Sequence, residues 1–314
     1  KEIQKQASAK LNAQTPPGKG RSGLQDDQHK DGKNARQVVQ WLENKSYGDK
    51  PFFISLGLQK PHVPFLAPDK YFDLYPFDKI TYQNDRSNLW NFLPSSALSK
   101  RYEAFGFEFA KENHPLRKEY IQAYHACVSF IDAQLGLVID SLKKQGLWDD
   151  TIIIFTSDHG YHLGDHFIWG KVTLFDIGAK VPFILRVPGL SKSGTTSEAM
   201  VELIDIYPTL ADLAELKAPD HLQGISLRPL LGHPERLGKR KYAYSVVTRG
   251  PKNLGYALRN QNWRYGKWPD GEELYNLRTD PQEKNNLAQK DHLKVRLDVF
   301  RKALTKQQEL IEQN

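Results

Sequence analysis

The chain has 314 residues, of which 39% are hydrophobic and 26% are charged, and its formal net charge is +7 at pH 7. This length suits one large core with an appended unit or two domains, and the composition is that of an ordinary globular protein. We expect no membrane span, because no apolar run approaches the roughly 18 residues that one needs. We expect no nucleic-acid partner either, because no nucleic-acid motif or arginine-rich tract accompanies the positive charge.

The first half of the chain predicts two regular elements within irregular surroundings. Residues 1–34 are polar and indicate a loop, and the apolar spacing over 35–43 predicts a helix. Residues 51–57 predict a buried strand that runs into a proline-stiffened loop. Residues 66–117 are aromatic and show no clear period, and a long excursion of this kind often forms a substrate-facing wall.

A long helix is predicted after residue 119. Apolar residues recur there every three or four positions up to Leu142, and Gly146 is a suitable C-terminal stop. Cys127, the only cysteine, lies on this apolar stripe, which predicts a buried thiol and excludes an internal disulfide.

Alternating strands and helices in the next segment indicate the fold class. Residues 151–157 are β-branched and apolar on both faces, which is typical of a central parallel strand covered on each side. A second strand is predicted over 181–187 and a helix over 203–213. We therefore predict an α/β fold with a mostly parallel central sheet flanked by helices.

The pattern changes near residue 235. Short strand-like runs separated by turn residues follow, and a charged helix is predicted over about 293–312. We expect a catalytic α/β domain over 1–235 and a small antiparallel subdomain with a closing helix over 236–314.

The strongest candidate for chemistry is the sequence Ser157-Asp158-His159-Gly160, which directly follows the predicted strand over 151–157. Ligands in open α/β sheets bind at the carboxyl ends of strands. The Asp158 carboxylate and the His159 imidazole could bind a divalent cation there, with further oxygens from elsewhere. A carboxylate and a histidine at a strand end are also compatible with a purely structural role.

The loop that follows is rich in histidine and glycine and ends at Lys171, a point charge suited to sulfate or phosphate. His162 and His166 have the spacing of a helical metal pair, but Gly164 between them disfavours a helix. Contact with substrate or a surface position is the better interpretation for both histidines.

A second constellation, Lys60-Pro61-His62, follows the predicted strand over 51–57. If the two strands are neighbours, His62 and Asp158 reach the same edge of the sheet. His62 could then protonate a leaving oxygen or bind an anion. A histidine fixed for packing in a rigid loop is the equal alternative.

Taken together, these segments resemble the type I sulfatases of the alkaline phosphatase superfamily, and most of all the iduronate-2-sulfatase-like enzymes. The resemblance spans about residues 35–290 and includes Lys60-Pro61-His62, the run 156–171 and the segment 273–287 with its Asp280-Pro281 pair. It implies a hydrolase of a sulfated carbohydrate that works in the periplasm, in the lysosome or outside the cell.

The resemblance also implies roles for six residues. Asp158 and His159 would bind Ca²⁺, with Mg²⁺ as the alternative, and Lys171 and His62 would contact the sulfate. Lys60 and His166 would contact the sugar or its carboxylate.

One element of the family is missing from the sequence. The family's nucleophile is a formylglycine made within a Cys/Ser-x-Pro/Ala-x-Arg motif, and no such motif occurs in these 314 residues. The chain starts at Lys1 without a Met or a leader, so we expect an N-terminally truncated sulfatase whose nucleophile lies upstream. The alternatives are a phosphate or phosphonate ester hydrolase of the same superfamily and a non-catalytic relative that binds glycans.

We predict that the 314-residue chain alone does not hydrolyse a chromogenic aryl sulfate, because half of the expected site is absent from it. Release of the chromophore would be followed by absorbance. Enzyme-dependent turnover above the buffer rate would contradict the prediction.

Overall fold

The computed structural model describes residues 18–82, 91–98, 114–250 and 253–312. Its strands are β1 to β10 in chain order: Lys19–Arg21, Phe65–Ala67, Ile153–Thr156, His162–Leu163, Trp169–Gly170, Phe183–Arg186, Ala243–Thr248, Leu254–Arg259, Trp263–Trp268 and Gly271–Asn276. Its α-helices are α1 to α7: Lys30–Glu43, Asp69–Phe72, His114–Lys144, Asp176–Ala179, Ile206–Leu213, Arg228–Leu231 and Lys294–Glu312.

The described residues fall into two compact units. The first contains 18–82, 114–151 and 163–169, and the second contains 91–98, 152–162, 170–250 and 253–312. The predicted boundary near residue 235 stays a prediction.

In the first unit, α1 packs against α3, and α3 also covers the parallel pair β1 and β2. The predicted long helix is confirmed, although Val128 of its apolar stripe is 40% exposed, and Gly146 follows the helix with a left-handed φ of 70°. Cys127 is fully buried, and this burial raises the pKa of its thiol to about 12. By length and composition α3 could also cross a membrane, a test that core helices of globular proteins pass as well.

The second unit contains a four-stranded antiparallel meander in the order β10-β9-β8-β7. Helix α7 packs on this sheet through Leu297, Phe300 and Leu304, which meet Leu258 and Tyr265 of the strands. The predicted small antiparallel sheet and closing helix are therefore confirmed.

Two strand predictions are wrong. Residues 51–57 belong to no strand within the described part of the chain, and Phe53 is 79% exposed. Strand β3 pairs antiparallel with β6, and its residues are all half-buried. A mostly parallel central sheet is thus not seen in the described part of the chain, because apolar composition gives strand propensity but neither a partner nor a pairing direction.

A buried ion network holds the antiparallel sheet together. Arg264 on β9 is 1% exposed, and its Nη2 donates to Glu273 Oε2 at 2.7 Å. Its Nε donates to Glu283, whose side chain is 2% exposed. The guanidinium also lies over the rings of Phe175 and Tyr275, at 5.0 and 4.6 Å from the ring centres. One cation therefore offsets the burial of two carboxylates.

Replacing Arg264 by Met should lower the free energy of unfolding by about 3–5 kcal/mol, because two buried carboxylates lose their cation. Arg301→Met is the control, since Arg301 pairs with Glu272 and Asp298 at 48% exposure. The control should lose no more than about 1 kcal/mol. Chemical denaturation measures both, and equal losses would contradict the prediction.

Candidate functional site

The turn Ser157-Asp158-His159-Gly160 follows β3, as predicted, and is organised by its own hydrogen bonds. The His159 amide donates to Asp158 Oδ1 at 3.0 Å, and the Ser157 hydroxyl donates to the His159 carbonyl at 3.0 Å. The Asp158 side chain is 83% exposed. The local bonds hold the carboxylate in place without burying it, which leaves it accessible to a ligand.

The imidazole of His159 is oriented by the backbone. Its Nδ1 lies 2.9 Å from the Gly160 carbonyl, so Nδ1 carries the proton and donates it. In the neutral ring Nε2 then has a lone pair, and this atom lies 3.4 Å from Asp158 Oδ2. An oxygen and a nitrogen donor thus face one another at a separation that one cation could bridge.

This donor pair fits part of a metal site. Calcium takes six to eight ligands and prefers oxygen, so Asp158 suits it well and His159 less well. No group of three His, Cys, Asp or Glu residues placed to hold a metal ion is found among the described residues. Water or residues outside the described ranges would have to complete the coordination.

Helix α4 supports this turn from the side. The Gly160 amide donates to the Gly178 carbonyl at 3.0 Å. A Cβ at residue 160 would lie 2.0 Å from the Ile177 carbonyl oxygen, so only glycine allows this close approach. The position of the Asp158 and His159 side chains therefore depends on where α4 lies.

Lys171 is half-buried in a loop whose backbone is unusual. Gly170 before it has a φ of 146°, and Val172 after it has a φ of 68°. A left-handed conformation is strained for a β-branched residue, and such strain persists only where the surroundings impose it. The loop is therefore held in one shape on both sides of the lysine.

The loop with Lys60 and His62 belongs to the first unit and is fixed by Asp31, the second residue of α1. The Asp31 carboxylate is 2% exposed and accepts the amides of Gln59 and Lys60, each at 2.8 Å. Sequence reasoning missed Asp31, because the helix was predicted over 35–43 and residue 31 was placed in the preceding loop, whereas α1 begins at Lys30.

Lys60 points back into its own loop. Its ammonium donates to the carbonyls of His62 and Pro64, and burial lowers the pKa of this lysine. His62 is exposed, and its Nδ1 donates to the Val63 carbonyl at 2.8 Å. The neutral ring therefore presents Nε2 as an acceptor. The geometry gives Lys60 a loop-positioning role beside the sugar contact that was predicted for it.

The two histidines of the loop before Lys171, His162 and His166, are buried. His162 is fully buried, lies 2.7 Å from Thr173 Oγ1 and packs on Phe175, so a surface position is wrong for it, and its substrate contact stays a prediction. His166 is 4% exposed and has a left-handed φ of 57°. Its substrate contact stays a prediction.

The structure groups the six predicted residues by unit. Asp158, His159 and Lys171 belong to the second unit, and Lys60, His62 and His166 belong to the first. The proximity of His62 and Asp158 concerns residues of different units and stays a prediction.

Comparison with known proteins gives family likeness over nearly the whole chain. The sulfatase family profile matches residues 3–216, and the profile of the N-sulphoglucosamine sulphohydrolase C-terminal region matches residues 164–310. A sulfatase of Formosa agariphila is 37% identical over 86% of this chain, which covers 53% of that protein. Human iduronate 2-sulfatase is 28% identical over 82% of this chain, which covers 62% of it.

Solved structures show the same fold. BT4656 in complex with D-glucosamine-2-N,6-O-disulfate has a TM-score of 0.77 at 22% identity, over 90% of this chain and 70% of that one. A phosphonate monoester hydrolase of Agrobacterium radiobacter has a TM-score of 0.79 at 24% identity, over 98% of this chain and 68% of that one. The chain spans little more than half the length of the sulfatase from Formosa agariphila.

We predict that Asp31→Ala loosens the Lys60-His62 loop, because two amides lose a charged acceptor, at a cost of about 2–4 kcal/mol. Hydrogen exchange of the amides in 59–65 should accelerate. Asp27→Ala is the control, since Asp27 is exposed one turn earlier. Unchanged exchange in Asp31→Ala would contradict the assignment.

Proposed function

Because this chain belongs to the sulfatase family, we propose that the complete natural protein hydrolyses sulfate esters of a sugar. The observation that carries the proposal is the pair of overlapping family matches over residues 3–216 and 164–310, which include all six candidate site residues. The exposed Asp158 carboxylate beside a correctly oriented His159 adds the local chemistry that such a site needs.

Each residue has a role that its chemistry supports. Asp158 and His159 would hold a divalent cation, Ca²⁺ by family resemblance, which would supply positive charge at the sulfate oxygens. Lys171 adds a fixed positive charge that binds the same oxyanion. Such preorganised charges act most strongly where negative charge develops in the transition state.

His62 serves the leaving alcohol. Its Nδ1 proton is engaged by the Val63 carbonyl, so proton exchange with the substrate takes place at Nε2. A ring that carries a second proton at Nε2 donates to the departing oxygen. Lys60 keeps the loop folded through the carbonyls of His62 and Pro64.

The nucleophile is proposed to lie outside these 314 residues as a formylglycine, since no Cys/Ser-x-Pro/Ala-x-Arg motif occurs among them. The substrate is proposed to be a sulfated amino sugar or uronate. This proposal is supported by the match of residues 164–310 to the N-sulphoglucosamine sulphohydrolase C-terminal profile and by the 28% sequence identity with human iduronate 2-sulfatase. A periplasmic, lysosomal or extracellular location fits such a substrate.

A second candidate is phosphonate monoester hydrolysis. The phosphonate monoester hydrolase from Agrobacterium radiobacter matches 98% of this chain with a TM-score of 0.79. Phosphonate monoesters and sulfate esters present similar tetrahedral oxyanions, so the fold alone does not separate the two activities.

Removing the positive charge of Lys171 or the proposed metal-binding carboxylate of Asp158 should slow sulfate ester hydrolysis by about 10²- to 10³-fold. Lys171→Ala and Asp158→Asn are measured in the complete natural protein against aryl sulfate, aryl phosphate and phenyl phosphonate esters. Chelation with EGTA should abolish activity, and added Ca²⁺ should restore it in the wild type.

Lys192→Ala and Asp220→Asn are the controls, because both residues are exposed on the same unit. Faster turnover of the phosphonate than of the sulfate would favour the second candidate. Full activity of Asp158→Asn would show that the negative charge of Asp158 is not needed, against its proposed role at the metal.

A further inference from the structure

The turn with Asp158 and His159 packs against α4, and α4 begins five residues after Lys171. Gly160 bonds to Gly178 of this helix, and a Cβ at Gly178 would lie 2.4 Å from Thr173 Oγ1. Both candidate segments are thus packed closely on one helix of four residues. A helix this short has little stability of its own, so its position must come from elsewhere.

The start of α4 is fixed by a residue far along the chain. The Asp176 amide donates to Glu283 Oε2 at 2.6 Å, across 107 residues. The N-cap residue Phe175 provides no side-chain cap. Glu283 therefore satisfies a helix N-terminal amide that would otherwise lack a capping acceptor. Arg259 adds a bond to the Asp176 carboxylate at 3.2 Å.

Glu283 itself is held rigidly. Its other oxygen accepts from Arg264 Nε, and Arg264 is tied to Glu273 on β10. The backbone at Glu283 is left-handed, with a φ of 54°, a conformation imposed by its surroundings. The carboxylate is therefore anchored in the antiparallel sheet on one side and caps α4 on the other.

We propose that Glu283 is a positioning residue, which fixes Lys171 and the Asp158-His159 turn by anchoring α4 to the C-terminal antiparallel sheet. The inference rests on the proposed function for its catalytic consequence. Its structural part, the coupling of Glu283 to residues 157–162 and 170–180, does not depend on that function.

An isosteric pair of variants tests the proposal. Glu283 and Glu273 are equally buried partners of the same Arg264, but the described contact to Asp176 belongs to Glu283. Glu283→Gln and Glu273→Gln each replace one carboxylate partner of Arg264 by an amide, and Glu283→Gln also disturbs the cap of α4. Hydrogen exchange of peptides within 157–162 and 170–180 should accelerate by about tenfold or more in Glu283→Gln and much less in Glu273→Gln.

Kinetics provide the second readout in the complete natural protein. Glu283→Gln should lower kcat by about 10- to 100-fold, as expected when catalytic groups are misplaced by a fraction of an ångström to about one ångström. It should also raise the Ca²⁺ concentration needed for half-maximal activity, with little change in KM. Glu273→Gln should keep both values within about threefold of the wild type while losing a similar amount of thermal stability.

Arg259→Gln is the reserve variant if Glu283→Gln does not fold, because Arg259 is 23% exposed and holds the same Asp176. It should change exchange and kcat in the same direction, by less. Equal effects of Glu283→Gln and Glu273→Gln, or unchanged exchange over 157–162 and 170–180 in Glu283→Gln, would overturn the proposal. Absence of sulfatase activity in the wild type would overturn the proposed function and leave the exchange result to decide the coupling.

Discussion

The guanidinium of Arg264 is nearly inaccessible to water and lies between the carboxylates of Glu273 and Glu283. Burying one cation with two anions has a high desolvation cost, which is offset only when every partner is in place. Trp268 Nε1 adds a bond to Glu273 at 2.7 Å. The second unit therefore depends on a polar centre that tolerates little displacement, whereas the first is built around the apolar face of α3.

This polar centre explains the closing segment that resembles other sulfatases. Asp280 accepts the amides of Lys284 and Asn285, at 3.0 and 2.8 Å. The Asn286 side chain accepts the Leu274 amide at 3.0 Å and donates to the Glu272 carbonyl. These bonds shape the turn so that Glu283, between them, points into the network. The segment 280–286 lies outside the candidate site, and its hydrogen bonds set the position of Glu283.

Sequence reasoning succeeded where the signal was local. The period of α3, its glycine stop and the antiparallel meander follow from spacing and turn residues in short windows. The strand predicted at 51–57 failed because strand formation needs a partner that no window contains. At the site, the Asp158-His159 turn was found from residue type and position after a strand. Asp31 and Glu283 were missed as functional residues because the backbone amides that their carboxylates accept lie 28 or more residues away.

The close contact between Gly160 and Ile177 also constrains how this protein can vary. Any base change that replaces the glycine introduces at least a methyl group where a carbonyl oxygen already lies 2.0 Å from the ideal Cβ position. A substitution at residue 160 therefore cannot be accommodated unless the backbone of the turn or of the helix shifts. Changes in the chemistry of this turn would have to arise through exchange of the exposed side chain at 158 and the half-buried one at 159, with the backbone path between the turn and the helix left as it is.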